Sequence, residues 1–272
     1  MKIAVFTKST LVCHPVRNAV LAALSARGDF ALKEISADEA VPADCQRLLA
    51  FGGDGTMLEA AVRAARANVP LVGVNCGNLG FLTQFDAEAK PDDIAEALLH
   101  GKAVHRMLLE CTTEKGKFLA LNDIVVKSAT TRPVSVELYV DGQFADAYRS
   151  DGMIVATPTG STAYSLSAGG PVLAPDLDAL TVNAVCPHTL HSRPLVVGAN
   201  ALIELRIIAG DLSLLVVDGA AAAELGAKSV VKVKKAAVSA PFIDAGGRGF
   251  YEKLLDKMNR WGLAQSAEVT ES

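Results

Sequence analysis

Leu48-Leu49-Ala50-Phe51-Gly52-Gly53-Asp54-Gly55-Thr56 is a short apolar run that ends in a glycine-rich turn. A helical pattern from Met57 to Ala67 follows, and then a second apolar run, Leu71 to Val74. Strand, turn, helix and strand in that order make the unit of a parallel sheet covered by helices. The same alternation extends in both directions. Upstream, residues 2–7 form an apolar run with β-branched members, and apolar residues at 16, 19, 20, 23 and 24 mark one helical face. Pro15 suits the first turn of that helix and Gly28 its stop. Phe30 to Ile35 reads as a further strand, and Asp92 to His100 as a helix stopped by Gly101.

Beyond residue 101 the pattern changes to strands. Val134, Val136, Leu138 and Val140 alternate with Ser135, Glu137 and Tyr139, and Asp141-Gly142 follows as a hairpin signal. Further β runs lie at 107–113, 118–127, 152–157, 182–186, 202–208, 212–217 and 229–234. The reading is an α/β N-terminal domain with a parallel sheet, residues 1–100, and an all-β sandwich, residues 101–248. The tail from Gly249 to Gly262 is helical in pattern and is expected to rejoin the first domain, which would then include residues 249–272.

Composition excludes several classes. The 272 residues carry 30 acidic and 26 basic side chains, a net charge of -4, and half of them are hydrophobic. That apolar content excludes general disorder. The mild acidity and the lack of a basic cluster disfavour nucleic acid as a partner. No apolar run approaches the roughly 18 residues that a membrane span needs. The chain enters on Lys2-Ile3-Ala4-Val5-Phe6 without signal-peptide architecture. Cys13, Cys45, Cys76, Cys111 and Cys186 are scattered, odd in number and form no C-x-x-C pair. They read as free thiols of a reducing compartment, so a cytoplasmic protein is expected.

Three motifs can carry chemistry. In the glycine-rich turn, Gly52, Gly53 and Gly55 allow close backbone approach to a ligand. Thr56 and Glu59 have capping-box spacing, which predicts a helix starting at Thr56 with Asp54 just outside it. Such a helix end favours phosphate. Asp54 can help bind a metal, accept a hydroxyl proton or merely cap the helix. The Walker pattern and the dinucleotide G-x-G-x-x-G pattern are both absent. The second motif runs Thr157-Pro158-Thr159-Gly160-Ser161-Thr162-Ala163-Tyr164-Ser165-Leu166-Ser167-Ala168-Gly169-Gly170 after Asp151-Gly152. It reads as a strand-loop-helix anion site with a short helix near 162–168, or as a polar loop. The third, Asn122-Asp123, is a polar pair inside an apolar run. It could bind ribose or an adenine edge, but its residues alone favour a turn between two strands.

Together these motifs resemble the NAD kinases. Gly52-Gly53-Asp54-Gly55-Thr56, Gly73 to Leu82, Leu121-Asn122-Asp123-Ile124, Asp151 to Leu173 and Pro187 to Leu195 occur in that family's order. The first element alone also resembles lipid kinases and phosphofructokinases; the combination is specific. The resemblance runs from about residue 48 to the tail. It implies transfer of a phosphoryl group from ATP to the 2'-hydroxyl of the adenosine ribose of NAD, with Mg2+ or Mn2+ assisting. It implies a homo-oligomer, dimer or tetramer.

By the same resemblance Asp54 is the general base. Gly52, Gly53, Gly55, Thr56, Thr159, Gly160 and Ser161 would hold phosphate. Asp54, Gly55, Asn122, Asp123, Arg149, Asp151 and the run Thr162, Ala163, Tyr164, Ser165, Leu166 and Ser167 would line the NAD site. Asp123 stands where the family usually has Glu, one methylene longer. Ala220 stands where Gln is frequent, and it is left out of the site. Two rivals are a lipid kinase with the same turn, opposed by the hydroxyl-rich loop, and a dinucleotide sensor that binds without turnover. His188 and His191 lie between Pro187 and Pro194 with no third ligand in view, and read as structural.

Overall fold

The computed structural model describes the chain except residues 13, 78, 79, 190, 191, 211, 247, 248, 257 and 260–272. Cys13, the Asn78-Leu79 and Leu190-His191 pairs, and the end of the expected tail helix therefore lie outside the described residues. The chain divides into two compact units.

The first unit comprises Met1–Ala60, Val69–Val104 and Phe242–Ser272. Its strands are β1 (Lys2–Thr7), β2 (Ala31–Ile35), β3 (Arg47–Phe51) and β4 (Leu71–Val74), in sheet order β2-β1-β3-β4. All of these neighbours pair parallel. The consecutive apolar runs that the sequence shows are what a sheet buried on both faces requires. Ile3, Val5, Leu49, Phe51, Val72 and Val74 pack in one core with Val20 and Leu24 of helix α1 (Pro15–Arg27) and Ile94 and Leu98 of helix α3 (Pro91–His100). Helix α2 (Asp54–Ala67) stands between β3 and β4 in the chain. Pro15 and Pro91 sit in the first turns of their helices, and Gly28 takes the left-handed conformation that closes α1, with φ of 74°. Residues 250–256 are helical, and Lys253 Nζ donates to the Thr83 carbonyl at 3.0 Å.

The second unit comprises Ala61–Asn68 and His105–Pro241. Its strands are β5 (Lys102–Thr113), β6 (Gly116–Ala120), β7 (Asp123–Ser128), β8 (Val134–Val140), β9 (Gln143–Ser150), β10 (Gly152–Ala156), β11 (Ala179–Val185), β12 (Leu195–Gly198), β13 (Ile203–Ala209), β14 (Ser213–Val217), β15 (Ala220–Leu225) and β16 (Val230–Asp244). One sheet runs β12-β11-β10-β7-β14-β15 and is antiparallel. The other runs β16-β13-β8-β9, with β5 on β16 and β6 on β5. Between them Val126, Met153, Val155 and Val182 of the first meet Val136, Leu138, Ile203 and Leu205 of the second in one core. The alternating run at 134–140 supplies three of the buried positions, as period-two patterning dictates. Asp141 and Gly142 both have positive φ, 51° and 78°, which gives the primed turn that joins β8 to β9.

The α/β part and the antiparallel two-sheet part are both as expected, with local differences. The run 118–127 is not one strand: it breaks at Leu121-Asn122 into β6 and β7. β5 begins at Lys102, and β16 continues to Asp244. β9, β12 and β15 were not read, because Gln143–Ser150 is largely exposed and polar, Leu195–Gly198 is short, and Ala220–Leu225 is mostly alanine. The helix expected near 162–168 is a 3-10 turn at Gly160–Thr162 followed by α4, Tyr164–Ser167.

Candidate active site

The glycine-rich turn differs from expectation at one point: α2 begins at Asp54, not Thr56. The Gly53 carbonyl accepts from both Thr56 N–H at 2.9 Å and Met57 N–H at 3.1 Å, so the turn is already helical there. The expected capping box does not close, because Glu59 is ion-paired with Lys8 at 2.8 Å. The buried Thr56 side chain instead folds against Gly52, where any β-carbon would collide with it. Gly52 has φ of 149°, which favours glycine.

Asp54 thus occupies the first helical position, half-exposed, with its carboxylate fixed. Oδ2 accepts from Phe81 N–H at 3.1 Å and Oδ1 from Leu82 N–H at 3.0 Å. Gly80 lies against the same carboxylate so closely that a β-carbon would overlap it. The Gly80-Phe81-Leu82 backbone is a cradle for Asp54. Each carboxylate oxygen retains a lone pair for a hydroxyl proton or a hard cation. Gly53 and Gly55 are exposed, with open space where a side chain would stand.

In the second unit Asp123 opens β7, and Leu121 and Asn122 form the break between β6 and β7. Asp218, at the end of β14, organises it. Its carboxylate accepts from Leu121 N–H at 2.8 Å, Asn122 N–H at 2.7 Å and Asp123 N–H at 3.2 Å. Asp123 is 4% exposed. Burial first, and the Asp218 carboxylate second, push its pKa up to about 7. Burial also raises that of Asp218, against the lowering effect of the three N–H groups. The sequence reading passed over Asp218. The signal for it was a lone acid before Gly219 at the end of an apolar run.

The loop after β10 closes onto the same turn. Thr157 Oγ1 donates to the Leu121 carbonyl at 2.6 Å, and Thr157 N–H donates to the Asn122 carbonyl at 2.9 Å. Gly160 presses on the Asn122 backbone with no room for a β-carbon. Ser161 Oγ donates to the Pro158 carbonyl at 2.6 Å and accepts from Leu173 N–H at 2.9 Å. Thr162 Oγ1 donates to the Thr159 carbonyl at 3.2 Å. Ser165 Oγ lies 3.1 Å from Asn183 Oδ1 and 3.2 Å from Thr181 Oγ1. The hydroxyls of Ser161, Thr162 and Ser165 are therefore engaged inside the loop, and these residues set its shape. Tyr164 and Ser167 are exposed, and Thr159, Ala163 and Leu166 partly so. Tyr164 has its pKa raised by burial first, and further by its electrostatic interaction with Cys186, Asp151 and Asp123. Asp151 and Arg149 are exposed on either side of the buried Ser150. Asn183, 2% exposed and holding this loop from β11, was also missed; an amide inside the run Val182 to Val185 was its signal.

The chain thus combines a parallel sheet carrying an anchored aspartate at a glycine-rich helix start with an antiparallel sandwich carrying a braced hydroxyl-rich loop. Residues 13–103 match the model of the ATP-NAD kinase N-terminal domain, and residues 121–245 that of the ATP-NAD kinase C-terminal domain. The NAD kinase of Moorella thermoacetica is 40% identical over 245 residues, covering 87% of this chain and 78% of its own. That of Desulforamulus reducens is 38% identical over 230 residues, covering 80% and 79%. Among solved structures, an NAD kinase from Archaeoglobus fulgidus in complex with ATP superposes with a TM-score of 0.77 at 27% identity, covering 90% of this chain and 94% of its own. Yeast NADH kinase complexed with NADH shares the fold, with a TM-score of 0.80 at 24% identity, covering 93% and 84%. The chain belongs to the NAD kinase family.

Proposed function

We propose that this chain catalyses transfer of the terminal phosphoryl group of ATP to the 2'-hydroxyl of the adenosine ribose of NAD, giving NADP. The observation that carries the mechanism is the Asp54 carboxylate, held by the N–H groups of Phe81 and Leu82 at the first position of α2. In the transfer the ribose O2' bonds to the terminal phosphorus as the bond to the bridging oxygen of ADP breaks. The hydroxyl proton passes to Asp54. A loose transition state of this kind asks for positioning and charge neutralisation more than covalent help. Fixing Asp54 by two backbone donors removes its rotamer freedom before substrate arrives.

The remaining roles follow the same reading. The open backbone at Gly53 and Gly55, its shape set by the buried Gly52 and Thr56, receives phosphate, with Thr159, Gly160 and Ser161 shaping a second phosphate-facing loop. Asn122 and Asp123 meet the adenosine of NAD. Arg149, Asp151 and the segment Thr162, Ala163, Tyr164, Ser165, Leu166 and Ser167 line the rest of the dinucleotide, the buried hydroxyls acting through the loop's shape. Asp218 acts through the turn it braces.

A divalent cation, Mg2+ or Mn2+, fits this donor set. No group of three or more acidic, histidine or cysteine side chains that could hold a metal occurs among the described residues. Mg2+ is commonly held by one or two carboxylates together with substrate phosphates, and Asp54 offers a hard oxygen for it. Bound there, the cation would neutralise phosphate charge. A homo-oligomer, dimer or tetramer, follows from family likeness. The described cysteines, Cys45, Cys76, Cys111 and Cys186, are free thiols, which supports a cytoplasmic setting. No helix among the described residues is long and apolar enough to cross a membrane.

The test is product identity. Purified protein given NAD, ATP and magnesium is expected to yield a dinucleotide with one new phosphorus resonance on the ribose 2' oxygen. A phosphate elsewhere, or none, would reject the assignment.

A further inference from the structure

In the second unit β5, β6, β16 and the last turn of α2 enclose a hollow of about 250 Å3, and no residue given a role above lines it. Its floor follows from the sequence. β16 carries Val230, Val231 and Val233 and then changes to Ala236-Ala237, where a strand ordinarily holds β-branched residues. The two small side chains leave a depression, and Val238 follows them with its side chain 41% exposed. The β5–β6 hairpin supplies another wall. In its antiparallel register Glu110 lies opposite Leu119, and Thr112 opposite Lys117. Alternation along a strand therefore puts Glu110, Lys117 and Leu119 on one face. Phe118, partly buried, packs against the core between the sheets and also borders the hollow.

The rim is positive. Arg66, in the last turn of α2, and Lys117 are both exposed and both line the hollow. Glu110 is the one acid among the lining residues, and Lys234 already pairs with it at 3.3 Å. No carboxylate among the described residues pairs with Arg66 or Lys117. Three cations thus gather around one acid, in a chain whose net charge is -4. Such a local excess raises the concentration of anions at that spot. A guanidinium can hold a carboxylate by two parallel hydrogen bonds, and an ammonium adds a point charge. The alanine, valine, leucine and phenylalanine surface between them suits an apolar body. The volume falls below the roughly 300–1,000 Å3 of drug-sized pockets, so the ligand is small.

We propose that this hollow binds a small organic carboxylate with an apolar body. The carboxylate meets Arg66 and Lys117, and the body lies over Ala236, Ala237 and Val238. The inference goes beyond the kinase reading and does not depend on it.

Phenylacetate and hexanoate are the probes, titrated by calorimetry into the whole protein. Phenylacetamide keeps the shape of the first without its charge, and acetate keeps the charge without the body. The variants are Arg66→Gln, Lys117→Glu and Ala237→Phe, all at exposed positions. Melting temperature and NAD affinity are measured on each as the check on folding. At least one probe is expected to bind the parent ten times more tightly than phenylacetamide or acetate. Each change of charge should weaken it about tenfold, the scale of a lost charge-assisted hydrogen bond. Ala237→Phe, which fills the hollow, should abolish it, with NAD affinity within twofold of the parent in all three. A protein that binds the probes in this way but forms no NADP would keep the hollow and lose the kinase reading. The proposal is overturned if neither probe binds the parent, if phenylacetamide binds as tightly as phenylacetate, or if the three variants bind like the parent.

Discussion

Asp123 shows what a single residue can do here. Its carboxyl is buried beside Asp218, and its pKa stands at about 7 instead of the ordinary 3.8. An acid whose folded pKa is raised holds more protons folded than unfolded, so its ionisation opposes the fold. That opposition is absent below about pH 4 and complete above about pH 7. The parent should therefore lose stability relative to Asp123→Asn as pH rises through this window. Thermal melts of both proteins across it should diverge; parallel curves would mean that Asp123 is ionised at ordinary pH. Asp218→Ala tests the brace. It leaves three backbone N–H groups without their acceptor, and loss of hydrogen-bond partners for buried groups costs about 1–3 kcal/mol each before relaxation. The variant is expected to melt lower and to bind NAD at least tenfold more weakly by calorimetry. Unchanged NAD affinity would show that the turn holds its shape without Asp218. The sequence made Asp54 and the Asn122-Asp123 pair visible because acids and amides next to glycine or inside apolar runs stand out. It could not show that Asp54 rests on Phe81 and Leu82, 27 and 28 residues away, or that Asp218 reaches back across 95 to 97. Such partners are made by the fold and leave no local pattern.

At the scale of elements, the turn from β3 into α2 depends on one glycine more than on its neighbours. Gly52 combines a positive φ with contact against Thr56, whereas Gly53 has neither constraint. Gly52→Ala should destabilise by about 2 kcal/mol or more, from backbone strain and overlap together. Gly53→Ala should stay within about 0.5 kcal/mol of the parent. Chemical denaturation of the pair checks this; equal losses would place the strain elsewhere. Elements with strong periodicity were legible: β1, β4, α1 and β8 fall where their apolar spacing and their Pro and Gly signals put them. Those without it were not. β9 is exposed along most of its length, and β15 offers alanines where a strand normally shows β-branched residues. The start of α2 was misplaced because capping-box spacing at Thr56 and Glu59 is only a local signal. Lys8, arriving from β1, takes Glu59 instead.

At the scale of the whole molecule, one core of the described residues surrounds the parallel sheet and another lies between the antiparallel sheets. Each is large enough that the switch from alternating strand and helix to strands alone is visible in the order of residues. Asp54 belongs to the first of these units, the Asn122-Asp123 turn and the loop from Thr157 to Gly170 to the second. The account's central claim is that the Asp54 carboxylate receives the proton of the ribose hydroxyl in phosphoryl transfer to NAD. The most direct measurement is NADP formation from NAD, ATP and magnesium by the parent and by Asp54→Asn, with NAD affinity measured on both. Loss of a general base lowers turnover by about two to four orders of magnitude. The account expects that loss in kcat with NAD affinity little changed. Near-parental turnover in the variant would contradict it.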